Sequence, residues 1–110
     1  MDESQKNESE FHARADAALE ALERALEQAG VEADFELKEG SILEIEFEDG
    51  SKIIVNRHGA AREIWVAARS GGFHYRWDGA AWRDTRSGEE LLAALSELVS
   101  LQLGRRVRLR

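Results

Sequence analysis

One stretch, EIWVAARSGGFHYRWDGAAWRDTRSG (63–88), constrains the fold more than any other, because it holds all three tryptophans of the chain. Alternating apolar residues predict one strand from Ile64 to Ala68 and a second from Phe73 to Trp77, separated by a glycine-rich turn. A third short strand carries Trp82 after a tight hairpin. The stretch therefore predicts a three-stranded antiparallel meander. Trp65 falls on its outward face, where a polar residue is expected, and this indicates a functional surface.

Three further strands are predicted upstream, at Asp34–Lys38, Ile42–Glu48 and Lys52–Arg57. In the second of them, apolar residues alternate strictly with glutamates, which is typical of a strand that has one buried face and one solvated face. The sheet should therefore have one apolar face and one open face. Five side chains are predicted on the open face as candidate partner-binding residues: Glu44, Glu46, Ile54, Asn56 and Trp65.

Two helices flank these strands. Helix 1 is predicted from Ser9 to Ala29, with one apolar stripe, and should end at Gly30. Ser87 and Glu90 are spaced as a capping box that would open a second amphipathic helix, which should stop at Gly104. Each helix must bury its stripe against another element.

These elements predict an α+β fold of the order αββββββα. It is a two-layer α-β sandwich in which two helices pack on one face of an antiparallel sheet of about six strands. The chain should form a single domain over residues 1–110, with residues 1–8 frayed at its polar N-terminus.

Composition excludes several classes of function. The chain has no cysteine, so thiolate metal sites and cysteine nucleophiles are absent. No apolar run reaches the length of a membrane span and the acidic start is unlike a targeting peptide, so we expect a cytoplasmic protein with no membrane association. The net charge is −7, with the acids concentrated in the first half of the chain, which argues against a nucleic-acid partner and favours cations or basic protein surfaces.

A row of one histidine and four acids follows one side of helix 1. Its members recur at helical spacing and fall within a wedge of about 80°: His12, Asp16, Glu20, Glu23 and Glu27. Like charges at these spacings destabilise a helix by ~0.2–0.5 kcal/mol per pair, and interleaved lysines would relieve them. The row is either a solvated helix face or a set of hard oxygen ligands for Mg²⁺, Ca²⁺, Mn²⁺ or iron. His12 could add an imidazole ligand or be an ordinary surface histidine.

Other motifs with catalytic meaning are missing. The sequence has no nucleophile–base pair and no nucleotide motif, and Gly71-Gly72 joins two strands instead of opening a helix, so it is not a phosphate cradle. A convex acidic helix face would hold an ion weakly, which does not suit a catalytic metal centre. Trp65, flanked by Ile54 and Asn56, is either an aromatic packed by its cross-strand neighbours or the centre of a binding site.

With these residues placed, the sequence resembles the bacterial frataxins, the CyaY family. The similarity runs from about Ser9 to the C-terminus, and four segments carry it: SEFHARAD (9–16), FEDGSKIIVNR (47–57), EIWVAARSGGFHY (63–75) and DGAAWRDTRSGEELLAAL (78–95). The chain departs from the family pattern at Arg76, where an acid is usual, and at His58, where glutamine is common.

The resemblance implies a function in iron–sulfur cluster assembly. Family members bind ferrous and ferric iron weakly at several carboxylates, and the matching positions here are Asp16, Glu20, Glu23, Glu27, Glu32, Asp34 and Glu36. The family also binds a cysteine desulfurase and the iron–sulfur scaffold protein, with contact positions at Trp65 and Asn56. The protein is thus expected to be a regulator, monomeric without metal. Two alternatives stay open: a ferroxidase or iron-storage activity on the same acids, and a purely acidic interaction module with incidental metal binding.

Overall fold

The computed structural model describes the backbone of residues 3–39 and 41–110, and the side chains of these ranges from residue 7 onward. Two helices enclose six strands in the chain order. Their bounds are α1 (Glu3–Gln28), β1 (Ala33–Lys38), β2 (Ile42–Phe47), β3 (Lys52–His58), β4 (Glu63–Ala68), β5 (Gly71–Trp77), β6 (Trp82–Asp84) and α2 (Leu91–Leu103). None of the described helices is long and apolar enough to cross a membrane.

The strands form one antiparallel sheet in the order β1-β2-β3-β4-β5-β6, so every strand pairs with its neighbours in sequence. Both helices pack on the apolar face of this sheet: α1 lies against β1, β2 and β3, and α2 contacts β6. This confirms the predicted two-layer α-β sandwich. Because the sheet is a simple meander, β1 and β6 are its two edges.

The core lies between the sheet and the helices. Alternate strand residues point into it, and cross-strand pairs such as Leu43 with Val55 and Val55 with Val66 lie beneath the helices. The N-terminal half of α1 extends to the β6 edge of the sheet, where the Phe11 ring contacts the Trp82 ring edge-on with 6.0 Å between centroids. The predicted inward faces of the strands are therefore correct.

The predicted start of helix 1 at Ser9 is wrong, because α1 already begins at Glu3. Residues 3–8 contain no proline or glycine, and acids near a helix N-terminus are favoured by its dipole, so nothing stops the helix at the polar segment. The fraying predicted for residues 1–8 remains a prediction, and Met1 and Asp2 lie outside the described residues.

The predicted cap of the second helix is also wrong. Glu90 is the N-cap of α2, and its carboxylate accepts hydrogen bonds from the backbone N–H groups of Leu92 and Ala93. The Ser87 hydroxyl instead accepts from the N–H of Glu89 in the preceding turn. The stop at Gly104 is correct: its φ is 82°, a left-handed conformation that glycine adopts without strain.

The C-terminal segment covers the flank of α2. Val107 and Leu109 are buried, and two serines one turn apart hold their backbone. The Ser100 hydroxyl bonds both the N–H and the C=O of Val107, at 3.0 and 3.1 Å, and the Ser96 hydroxyl accepts the N–H of Leu109 at 2.9 Å. The apolar side chains of the tail thus complete the core.

Candidate functional site

The acidic row on α1 divides into two parts. Near its start, Asp16 accepts a hydrogen bond from the Arg57 guanidinium of β3 at 2.7 Å, so its charge is compensated across the two layers. His12 is half-buried beside Phe11 and lies close to the loop at Gly59. A side chain at position 59 would place its Cβ atom 3.3 Å from the imidazole Nε2 of His12. These two side chains therefore face the sheet, which the helical spacing alone does not reveal.

The later acids of α1 are not compensated. Glu20 and Glu27 are exposed and Glu23 is half-buried, and none of the three forms an ion pair with any side chain that the structure describes. Arg24, which is close enough in sequence to relieve them, makes no ion pair among these residues either. The repulsion within this part of the row is therefore present in the folded protein.

A second group of acids lies on β1, the edge strand of the sheet that α1 contacts. Asp34 pairs in register with Glu46, and Glu36 pairs with Glu44, which places four carboxylates together on the open face of β1 and β2. A shallow depression is lined by these four side chains. Glu32 joins Asp34 and Glu46 around a neighbouring depression at the edge. We call the uncompensated acids that flank this edge the acidic ridge: Glu20, Glu23, Glu27, Glu32, Asp34 and Glu36.

Glu44 differs from the ridge. Lys38 and Lys52 approach its two carboxylate oxygens at 2.9 and 3.0 Å. Hydrogen bonds from these lysines, Lys38 first, hold the pKa of Glu44 below its ordinary value. The predicted partner residue Glu44 is thus already paired, whereas Glu46 beside it has no ion pair among the described side chains.

The donor set of the ridge suits a hard cation but does not form a cage. Within residues 7–39 and 41–110, no three His, Asp or Glu side chains come close enough to hold one metal ion. Carboxylate oxygens are the ligands that hard cations prefer, and an ion held by one or two of them keeps most of its water. The ridge therefore offers single carboxylates or neighbouring pairs to a hydrated hard cation.

The centre of the open face is an aromatic stack. Asn56, Trp65 and His74 stand side by side on β3, β4 and β5 in the strand register. The Trp65 indole lies between two imidazoles: His58 at 3.7 Å with an interplanar angle of 8°, and His74 at 4.7 Å and 16°. The predicted neighbour Ile54 is 36% exposed on the adjoining row of the same face.

Two residues of this stack differ from expectation. The predicted strand from Lys52 ends at Arg57, but β3 extends to His58, which stacks on Trp65 because it lies on the same face. The side-chain oxygen of Asn56 is buried and accepts no hydrogen bond in the described structure. An orphaned acceptor of this kind is costly unless water or a partner supplies a donor.

Sequence reasoning missed Glu63, which is buried below the stack with 7% of its surface exposed. Its carboxylate accepts hydrogen bonds from the Trp65 indole N–H at 2.9 Å and from Arg76 at 2.8 Å, and His74 Nδ1 lies 3.3 Å away. Burial alone would raise the pKa of Glu63. The hydrogen bonds from Trp65 and Arg76, together with the positive charge of Arg76, instead hold this pKa below its ordinary value. The sequence does indicate that Glu63 and Trp65 lie on one face of the same strand, because they are two residues apart. The burial of Glu63 could not be predicted, since it depends on side chains of β3 and β5.

Comparisons with known proteins agree with this fold. A family model described as a frataxin-like domain matches residues 4–105. The iron–sulfur cluster assembly protein CyaY of Dechloromonas aromatica is 59% identical over 104 residues, which are 94% of this chain and 99% of that protein. The protein of the same name from Cupriavidus metallidurans is 54% identical over 101 residues, 89% of this chain and 91% of its own.

A solved structure supports the same assignment. The frataxin from Psychromonas ingrahamii, studied for stability modulation within the CyaY protein family, superposes with a TM-score of 0.84 and 35% identity, over 92% of this chain and 95% of that chain. Sequence identity and the order of helices and strands thus point to one relationship over nearly the whole length. This chain belongs to the frataxin-like family.

Proposed function

We propose that this protein is a regulator of iron–sulfur cluster assembly that binds iron weakly on the acidic ridge and modulates a cysteine desulfurase. The observation that carries the proposal is the high identity, 59% and 54% over most of the chain, to two proteins named for iron–sulfur cluster assembly. The ridge supports the iron-binding part of the proposal, because its carboxylates are hard, solvent-accessible and uncompensated.

Iron would be a cargo of the ridge and not a resident cofactor. The residues that would hold it are Glu20, Glu23 and Glu27 of α1 together with Glu32, Asp34 and Glu36 beside them. Each of these positions offers one or two oxygen ligands, so affinity should be low and several ions should bind independently. Asp16 is a weaker candidate than its neighbours, because an ion there must compete with the Arg57 guanidinium. His12 is expected to contribute least, since it packs toward the loop at Gly59.

The desulfurase part rests on charge and on the open face. A surface with this many uncompensated acids attracts a basic surface, and such an encounter weakens steeply as salt rises. Glu46, Ile54, Asn56 and Trp65 add a mixed apolar and polar patch next to the ridge, as a protein contact requires. The scaffold protein of cluster assembly is the second proposed partner. Without metal the protein is expected to be a monomer, which sedimentation of the metal-free protein tests.

The deciding experiment is cluster assembly with purified desulfurase and scaffold, with and without this protein, at low and high Fe²⁺. A change in the rate of cluster formation that depends on this protein and on Fe²⁺ supports the proposal. An unchanged rate at both iron levels refutes it. Saturable consumption of O₂ and Fe²⁺ by this protein alone would favour the ferroxidase alternative, and partner binding that is indifferent to iron would favour a purely acidic interaction module.

A matched pair of variants locates the docking surface. Changing Glu20, Glu23 and Glu27 together to lysine should weaken desulfurase binding far more than the same change at three exposed acids away from the ridge. Suitable control positions are Glu8, Glu10 and Glu89, which are exposed and form no ion pair among the described side chains. Glu90 is unsuitable as a control because it caps α2. Equal affinities of the two triple variants would show that the ridge is not the docking surface.

A further inference from the structure

Glu63 is an anomaly of the open face. It is the one charged side chain that is buried among those the structure describes, yet it sits on the side of the sheet that no helix covers. A glutamate at this position could extend into water at no cost. Burying a charge is costly unless it is paired and hydrogen-bonded, so the arrangement implies that the surrounding groups cover and hold the carboxylate.

The groups that hold Glu63 come from three places on the face. One carboxylate oxygen accepts the Trp65 indole N–H at 2.9 Å and lies 3.3 Å from His74 Nδ1. The other oxygen accepts from the Arg76 guanidinium at 2.8 Å. Both oxygens are therefore engaged, and each bond fixes the side chain at its other end as well.

The consequence for Trp65 is a loss of freedom. The polar edge of its indole is bonded to Glu63, and imidazoles cover both of its faces at 3.7 and 4.7 Å. An exposed tryptophan on a flat sheet would otherwise sample several rotamers. Binding sites gain affinity when the side chains they use are ordered before the partner arrives, because less entropy is lost on association.

Arg76 is ordered in the same way but remains accessible. Its side chain is 64% exposed, and only one of its N–H groups is engaged by Glu63. A guanidinium carries five N–H donors in a planar fork, so the remaining donors are free to bind a carboxylate. Trp65 and Arg76 thus present the uncovered apolar edge of an indole and a cationic fork, each held by the same carboxylate.

We propose that Glu63 is a positioning residue, which locks Trp65 and Arg76 into one preorganised unit that docks a protein segment presenting a carboxylate beside an apolar side chain. This rests on the proposed function insofar as the docking partner belongs to the cluster-assembly machinery. The positioning itself is a property of the free protein and is measured without any partner.

The first test is hydrogen exchange of the three tryptophan indole N–H groups, followed by NMR with assignment by a Trp65→Phe variant. In Glu63→Ala the Trp65 indole should exchange about tenfold faster or more, as expected when one buried hydrogen bond is lost. In Glu63→Gln most protection should return, because the amide oxygen still accepts the bond. Glu89→Ala, which removes an exposed carboxylate, should leave all three indoles unchanged.

Two results would overturn the positioning role. The first is a Trp65 indole that is equally protected in Glu63→Ala while Trp77 and Trp82 report an intact fold. The second concerns Glu63→Gln, which serves if Glu63→Ala does not fold. Because this variant removes the charge, the Arg76 guanidinium N–H groups should exchange faster while the Trp65 indole stays protected. Unchanged Arg76 signals in that variant would refute the pairing on which the unit depends.

The second test is affinity for the purified desulfurase–scaffold complex. Trp65→Ala and Glu63→Ala should each weaken binding by about tenfold, and the double variant should lose little more, because residues that act as one unit are not additive. Arg76→Gln should also weaken binding. Fully additive losses would contradict a shared unit. If Trp65→Ala itself binds normally, the docking surface assigned under the proposed function fails, while the exchange experiment still judges the positioning role.

Discussion

Replacing acids on α1 by their amides should have opposite effects on stability at neighbouring positions. Helical spacing treats Asp16 and Glu20 as equal members of one repulsive row. The structure separates them, because Asp16 is bonded to Arg57 and the later acids have no such partner among the described side chains. The triple variant Glu20→Gln, Glu23→Gln, Glu27→Gln should therefore be more stable than the native protein, and Asp16→Asn less stable.

The two magnitudes follow from the contacts. The later part of the row contains two like-charge pairs, Glu20 with Glu23 and Glu23 with Glu27. Removing both repulsions should raise the free energy of unfolding by ~0.4–1 kcal/mol. Asp16→Asn loses a charge-assisted bond to a guanidinium whose side chain is 27% exposed. That loss should be about 0.5–1.5 kcal/mol, discounted because the carboxylate is partly solvated. Each kcal/mol corresponds to roughly 4 °C in melting temperature for a domain of this size.

The assay is a set of thermal melts at low and moderate NaCl, with and without millimolar Mg²⁺, Ca²⁺ or Fe²⁺ at matched ionic strength. Salt should raise the melting temperature of the native protein by screening the row, since the Debye length falls from ~30 Å at 0.01 M to ~8 Å at 0.15 M. Divalent ions should raise it further, because a bound ion stabilises the native state by ~2.7 kcal/mol at 100 times its Kd. The triple variant should lose most of both responses.

Matching variants make the outcome decisive. Amide changes at Glu8, Glu10 and Glu89 remove the same charge elsewhere and should leave the divalent response intact. If the triple ridge variant keeps its full response to divalent ions, the row is only a solvated helix face. If Asp16→Asn is as stabilising as the other changes, the ion pair with Arg57 contributes nothing and the division of the row is wrong.

Three further predictions concern other parts of the molecule. Trp65→Ala should lower stability by only about 1 kcal/mol, the cost of the lost hydrogen bond to Glu63, because the side chain lies on the open face, while weakening partner binding. A loss of the size expected for a core tryptophan, about 3–5 kcal/mol, would contradict the face assignment. Glu90→Ala should destabilise by about 1 kcal/mol in denaturant unfolding, since it removes the N-cap of α2, and an unchanged midpoint would argue against this cap. The pKa of Glu63 is lowered in the folded state, so the stability that Glu63 contributes is present above the ordinary pKa of 4.5 and is lost as the pH falls below it. The free energy of unfolding, measured in denaturant at pH 7 and pH 3, should therefore depend less on pH in Glu63→Gln than in the native protein. An identical dependence would show that the carboxylate is not stabilised by its partners.

Much of the fold is determined by local pattern. Strict alternation in residues such as Leu43, Ile45 and Phe47 specifies strands with one buried face, and short turns force each strand to pair with the next, so the meander needs no long-range information. The apolar stripes of both helices then have only the apolar sheet face to cover. For the same reason the placement of Trp65 on the open face could be predicted: side chains alternate with a period of two.

Other features depend on which strands become neighbours in space. The pairing of Asp16 with Arg57 joins residues far apart in sequence across two layers, and no spacing rule encodes it. Glu63 is buried because His74 and Arg76 of β5 and the stacked Trp65 enclose it, which requires the β4–β5 register to be in place. Sequence therefore determines which face each side chain occupies, and tertiary structure decides which charges on a face are paired, because pairing depends on distances between separate elements.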